Sequence, residues 1–360
     1  MITKLDWYIL KKFLSSFFFS IILFAFITVV IDVSEKTDDF VKANLDAYTI
    51  FKEYYLGFLP YMVGMLFPLF VFIAVIFFTS KMAGRSEVIA ILASGVSFNR
   101  FLRPYWIGSC FLAIVLWLGL SHIIPKANKL RTKFQATYID EDLNRRNSST
   151  QYFRNDSTHY GQISYFDTST KRGSNFVLQE FDGTKLVKNI RADNLLWDTA
   201  KKGWIITNVV MRDIDSLREK VSILDTMQVK LNFKPYELQK GEYTKDILET
   251  PALAEYIRNE KMRGAENTKD LEVERYRRMA TPISLIILTI IGASVASRKV
   301  RGGSGLHLAI GFVTAALFIL TDRFSTIFST KGNFPPLLAA WMPNIIFFIV
   351  AIVLYRKAPK

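Results

Sequence analysis

Residues 13–31 read FLSSFFFSIILFAFITVVI, an uncharged run close to the ~20 apolar residues that carry an α-helix across a bilayer core. Lys4, Lys11 and Lys12 precede it and no small-residue cleavage site follows, so it reads as a retained span with an interfacial helix ahead of it rather than as a leader. Five further apolar segments occur: Tyr54 to Thr79, Pro104 to Ile124, Met279 to Ser297, Leu306 to Phe328 and Leu337 to Tyr355. Three of the six lie toward each end of the chain with a polar stretch between them, an arrangement foreign to a soluble core. The composition agrees, with 50% hydrophobic and 14% aromatic residues and 30 Phe among 360. Ordinary soluble domains are less apolar.

Lys and Arg resist translocation, so their distribution over the short flanks gives the orientation. One side carries Lys4, Lys11 and Lys12, then Lys81, Arg85, Arg100 and Arg103, then Arg298, Lys299 and Arg301, and finally Arg356, Lys357 and Lys360. The other carries only Lys36, Lys42, Lys52 and Lys331. Both termini of a multi-pass membrane protein are therefore expected in the cytoplasm, with residues 125–278 on the outer side, which is the periplasm in a cell with two membranes. Residues 1–124 would form helices 1–3, and residues 279–360 helices 4–6.

Within the middle segment the apolar pattern shifts to a period of two over Thr158 to Phe166, Asn175 to Phe181, Lys185 to Ala192, Trp204 to Met211 and Met227 to Phe233. Turn signals separate these runs. Asp182-Gly183 fits a tight hairpin, and Lys202-Gly203 leads into Trp204 in a similar way. The expected fold is an α-helical membrane protein of six transmembrane helices, with an all-β, jelly-roll-like periplasmic domain inserted between helices 3 and 4. From Lys245 to Arg278 the spacing of Ile247, Leu248, Leu253, Tyr256 and Ile257 returns to that of a helix leading back to the fourth span.

Between the second and third spans lies SKMAGRSEVIAILASG, residues 80–95. Ser86 is placed to cap a short helix, Glu87 to meet its dipole, and Gly95 to end it in a left-handed conformation. Val88, Ile89, Ile91 and Leu92 would form one apolar face. Such a helix suits either the membrane surface or a groove on a cytoplasmic partner.

Several chemistries lack their residues. The net charge of +14 comes without a basic run interleaved with stacking aromatics, so no nucleic-acid partner is expected. Cys110 is the one cysteine and lies in an apolar run, which excludes a disulfide framework and a thiolate metal cluster. His159 has no second ligand at metal spacing and Ser164 lacks the nucleophile-elbow glycines. No Gly-x-x-x-x-Gly-Lys-Ser/Thr occurs, and Gly302-Gly303-Ser304-Gly305, with no Lys-Ser/Thr after it, reads as a flexible turn between spans four and five. The chain is therefore expected to bind no cofactor itself. Any ATP-Mg would sit on a partner subunit. Asp32, Glu35 and Asp322 are the acids an envelope-lipid enzyme would need, and nothing in the sequence brings them together.

The chain resembles the LptF/LptG (YjgP/YjgQ) family of permease subunits of the lipopolysaccharide exporter. Arg85, Ser86, Glu87, Leu92, Ala93, Ser94, Gly95 and Val96, followed by Arg100 and Pro104, fall on the pattern of the family's coupling helix, about residues 80–97. Phe176 to Asp182, Ile190 to Asp193, Trp197, Trp204 and Asn208 resemble strands of its periplasmic jelly roll, and Glu274, Arg277 and Pro282 its lead into span four. The resemblance implies a second LptF/LptG-type subunit, a cytoplasmic ABC ATPase dimer (LptB-like), and LptC/LptA-like jelly-roll partners that receive lipopolysaccharide from a cavity between the two permease subunits. ATPase coupling falls to Arg85, Glu87, Ile91, Leu92 and Gly95. Spans one and five are the implied gates. The dense basic cluster at the outer end of span one is not matched, since Asp32, Glu35, Lys36, Asp38 and Asp39 stand there.

A lipid with acyl chains and anionic sugars needs a path that is apolar at depth and cationic at its rim. Helical spacing groups Phe17, Phe24, Ile27 and Ile31 on span one, with Lys36 beyond them, and Phe312, Ala316, Ile319 and Arg323 on span five. Each also fits packing, contact with membrane lipids, or snorkelling of the basic side chains. Asp322 requires a partner on another helix, because adjacent helix positions diverge. The competing reading from a different class is a membrane-anchored envelope scaffold whose outer domain only binds partner proteins.

Overall fold

The computed structural model describes residues 3–139, 150–167, 170–199, 203–215, 218–235, 244–262, 268–298 and 303–358. Lys202, Lys299, Arg301, Gly302 and Lys360, which entered the expectations above, lie outside the described residues. Two compact units form, one from Met1–Arg131 with Lys269–Lys360 and the other from Thr132–Thr268.

Among the described residues six helices are long and apolar enough to cross a membrane, their apolar stretches in the first unit: Lys4–Lys42, Ala47–Gly84, Phe98–Tyr138, Thr268–Ala296, Gly305–Lys331 and Pro336–Lys357. They are called spans one to six, and most outrun the apolar segments read from the sequence. Span one is one continuous helix and has no separate interfacial segment before it. Thr3 caps it in a reciprocal box with Asp6, and no Gly or Pro from Lys4 to Lys42 breaks it. Pro60, Pro68, Pro104, Pro282 and Pro343 all lie inside helices, as packed membrane helices tolerate. Gly303–Gly305 begin the fifth helix rather than forming a flexible turn; they occupy its first turn, where the N–H groups have no intrahelical partner and the chain continues into the apolar run that fixes the helix.

Span two joins two cores. Phe67, Val71, Val75 and Phe78 pack with Ile9, Phe13 and Phe17 of span one and Phe101, Tyr105 and Leu112 of span three. Phe72 and Ile76, on its other side, pack with Ile287, Leu288 and Ile291 of span four, Ala315 of span five and Phe347 of span six. At these close-packed helix contacts dispersion and shape fit replace the hydrophobic drive that works in water. The first turns of span two are π-helical over Ile50–Tyr55.

The second unit holds a six-stranded antiparallel sheet in sequential order: β1 (Gln151–Arg154), β2 (His159–Asp167), β3 (Arg172–Asp182), β4 (Lys185–Asp198), β5 (Gly203–Asp215) and β6 (Arg218–Val229). It lies between helices three and four, so the expected all-β insertion is present. The β3–β4 hairpin pairs Asp182 with Lys185, and Gly183 takes φ +60° in the two-residue loop. The last strand was expected over Met227 to Phe233. Instead it runs from Arg218 to Val229, while Leu231 and Phe233 leave the ladder to pack on the core.

Two features shape this sheet. Phe153 of β1 meets Phe233 beyond β6 at 4.8 Å, Asn232 N donates to Asn155 Oδ1 at 2.8 Å, and Trp204 Nε1 donates to the Phe233 carbonyl at 2.8 Å. The chain after the last strand thus returns to the end of the first and closes the core over Ile163, Phe176, Ile206 and Val209. The ladders also skip a rung at one level, opposite Ser164, Asn175, Asp193, Asn208 and Asp225. Asn175 (φ +52°) and Asn208 (φ +54°) are left-handed there, a conformation asparagine adopts more readily than other side-chain-bearing residues. Core-facing positions change parity across this crease, from Gly173 to Phe176 in β3 and from Ala192 to Leu195 in β4.

Candidate functional site

The helix between spans two and three covers Glu87–Ala93. Ser86 stands at its start but does not cap it with its side chain; its backbone takes φ +63° and its N–H bonds the Ala83 carbonyl at 3.0 Å, so the backbone itself makes the reversal. Gly95 has φ +87°, ending the helix as expected. The four apolar residues do not share one face. Val88 is fully buried, Ile91 and Leu92 pack partly buried against the first core, and Ile89 points outward. Sealing one side into the bundle leaves Arg85, Glu87, Ile89 and Ala90 available, with Arg85 Nη1 3.9 Å from Glu87 Oε1. This is an exposed pair with little intrinsic stability.

The span-one residues grouped by spacing separate in the same way. Phe17 is buried against Phe67 at 4.9 Å and Phe24 leans on Phe70 at 4.8 Å, whereas Ile27 and Ile31 are exposed. On span five Phe312, Ala316, Ile319 and Arg323 are all exposed. Only 11% of the apolar stretch of span one and 17% of that of span five is buried by this chain, against 56% for span two and 67% for span four. Span one packs on spans two and three, and span five on spans two and six. Their remaining faces offer apolar surface to lipid or to another protein.

Lys36 is held inside the chain. Its Nζ lies 2.7 Å from Asp32 Oδ1 and 4.5 Å from the centre of the Tyr54 ring, and it also bonds the Tyr54 hydroxyl. Asp32 in turn accepts from Tyr54 at 3.0 Å and Tyr55 at 3.1 Å. The carboxylate therefore ties the last third of span one to the π-helical start of span two. The sequence marked Asp32 as an acid out of keeping with a basic rim, but the two tyrosines, 22 and 23 residues on, carried no signal of their own.

Two further polar links were not legible. Arg100 forks onto both carboxylate oxygens of Asp6, at 2.6 and 2.7 Å, and joins the starts of spans one and three. Arg277 of span four donates to Asp322 of span five at 3.0 Å and to Thr326 at 2.5 Å. This supplies the partner on another helix that Asp322 required. On the sheet His159 is a half-buried strand residue 2.8 Å from Asp156 and 3.6 Å from Glu180.

Six apolar helices interrupted once by an inserted β-sheet domain, with a short helix fixed between spans two and three and two spans poorly covered by this chain, define a multi-pass membrane protein. The chain belongs to the LptF/LptG family: the model described as "Lipopolysaccharide export system permease LptF/LptG" matches residues 7–357. It is accordingly an inner-membrane protein of a family of lipopolysaccharide-export permeases. No curated protein matches it.

Proposed function

We propose that this chain is one of two permease subunits of an ATP-driven exporter that extracts lipopolysaccharide from the inner membrane and passes it to a periplasmic bridge. In this reading both termini are cytoplasmic, the β domain is periplasmic, and ATP-Mg is bound and hydrolysed by a separate ATPase dimer. The observation that carries it is the helix Glu87–Ala93, anchored by buried Val88 and ended by Gly95, which leaves Ile89 exposed and Glu87 half-exposed beside Arg85. A rigid short helix with one charged and one apolar contact suits docking into a groove on a motor subunit. The uncovered faces of spans one and five suit a second permease subunit with a lipid-accessible cavity between. Ile27, Ile31, Phe312 and Ile319 would line its depth and Arg323 its rim. The exposed edge strand β6 offers unpaired backbone groups to a jelly-roll partner.

Co-purification tests this. Glu87→Lys is expected to lose the ATPase while the protein still inserts and keeps its thermal midpoint. ATP-dependent lipid release from proteoliposomes falls in parallel. Full ATPase stoichiometry and undiminished release with Glu87→Lys would refute the docking role.

A further inference from the structure

The sheet face opposite the core carries a groove of about 650 Å³ bounded by the crease. Val177 and Val210, half-buried, form its apolar floor, and Tyr152, Gln162, Gln179 and Arg191 stand around them. They are neighbours by register: Tyr152 pairs with Gln162, Gln162 with Val177, Val177 with Arg191, and Arg191 with Val210. Asn175, Asp193 and Asn208 of the crease form one wall, with Asn208 Nδ2 bonded to Asp193 Oδ2 at 2.9 Å.

These side chains are not spent on the fold. Among the described residues Arg191, Gln162 and Gln179 make no side-chain hydrogen bond or ion pair, whereas Arg212 at the far rim is 3.4 Å from Glu219. The Tyr152 ring is 70% exposed.

We infer that this groove binds a saccharide, with an acidic substituent of the sugar paired to Arg191. A sugar ring presents an apolar C–H face, which a tyrosine ring and a valine floor can cover, and hydroxyls at its edge, which planar amides and a guanidinium can bond in pairs. A hydrocarbon chain would leave those amides and the guanidinium unsatisfied on burial. The guanidinium fork fits a phosphate or carboxylate oxygen pair. This assignment rests on the permease reading for the source of the sugar, the head group of the exported glycolipid. It adds that the polar part of the cargo has its own surface on the β domain, separate from any apolar path.

The test uses the full chain in detergent or nanodiscs and three soluble probes: phosphorylated oligosaccharide released from lipopolysaccharide by mild acid, the same material after phosphatase, and a neutral glucan of equal length. Saturation-transfer NMR and thermophoresis read binding without transport. The phosphorylated oligosaccharide is expected to bind. Arg191→Ala weakens it about tenfold or more, the scale of a lost charge-assisted hydrogen bond, and Tyr152→Ala weakens it severalfold. Lys185→Ala, on the β3–β4 hairpin, leaves it unchanged, and all three variants keep the parent melting temperature. Absence of binding, equal binding of the neutral glucan, or insensitivity to Arg191→Ala would overturn the proposal. Loss of ATPase association and lipid release is scored in the separate assay above, so either reading can fail while the other stands.

Discussion

Arg277 in span four and Asp322 in span five face each other across a helix interface, their charged atoms 3.0 Å apart, and Glu274 stands 3.7 Å from the same guanidinium. Span five packs on spans two and six but leaves most of its apolar stretch uncovered by this chain, and this pair ties it to span four as well. Removing Arg277 leaves Asp322 partly buried without its cation, which costs more than the intact pair contributes, whereas removing Asp322 leaves Arg277 with Glu274 and Thr326. Asp322→Ala and Arg277→Ala are each expected to lower the thermal midpoint in detergent. The double variant should fall short of the summed losses by about 1 kcal/mol or more. Strict additivity would mean that the two side chains are not coupled.

Asp32 is the shared acceptor for Lys36, Tyr54 and Tyr55. Asp32→Leu should destabilise the chain by about 3 kcal/mol, the usual result of orphaning a buried cation. Adding Lys36→Met should recover part of that loss, because the pair is then replaced by apolar groups of similar size. Chemical denaturation of the three proteins decides this, and no recovery in the double variant would speak against the ion pair as the cause.

Gly57 of span two lies against the backbone of span three, where a Cβ would come within 2.5 Å of the Ala127 carbonyl oxygen and 2.8 Å of the Arg131 amide nitrogen. Backbone cannot move aside as a side-chain tip can. Gly57→Ala is expected to cost about 1–3 kcal/mol through overpacking. Gly84→Ala, where nothing lies within 4 Å, should be neutral or slightly stabilising in a helix. Equal melting temperatures for the two variants would contradict the close approach.

Burial works against ionisation of Asp156, but hydrogen bonds from Thr158 and His159 outweigh it and hold the carboxyl below the ordinary carboxylate range. A depressed folded value adds stability above the unfolded value, near ~4, and that stability disappears as pH falls through the lowered folded value. The β1–β2 turn carrying Asp156 adjoins the Asn155–Asn232 closure. The parent should therefore melt above Asp156→Asn at pH 6, followed by the β-sheet circular dichroism signal. The gap should narrow as pH drops below ~4. A gap independent of pH would exclude the carboxylate as its source.

Much of the architecture could be read from the residues because the bilayer imposes a coarse rule. Uncharged runs near twenty residues long must be helices, and all six were recognisable, although their ends were not. Polar turns such as Gln135–Tyr138 continue the third helix without any change that hydropathy can detect. The strands were cut short for a different reason. β3 was read from Asn175 rather than Arg172 and β4 only to Ala192 rather than Asp198, because alternation changes phase where the left-handed asparagines crease the sheet. A period-two pattern read in one dimension sees a phase change as an end. β6 was largely missed because, lying at the sheet's edge, it is exposed over most of its length and so has little apolar pattern to show.

The candidate site divides similarly. The short helix, its glycine stop and its first-turn acid follow from local spacing, which backbone geometry translates directly into position. Which of Val88, Ile89, Ile91 and Leu92 faces the protein depends on where spans one to three come together.

Sequence alone determined the membrane class, the six crossings and the inserted β domain, because solvation of long apolar runs is a local property that no later packing can reverse. Tertiary structure decided that Lys36 is paired to Asp32, that Asp322 finds Arg277, and that Tyr152 and Arg191, thirty-nine residues apart, border one groove. Side-chain partnership of that kind depends on helix rotation and strand register, which arise only when distant segments pack.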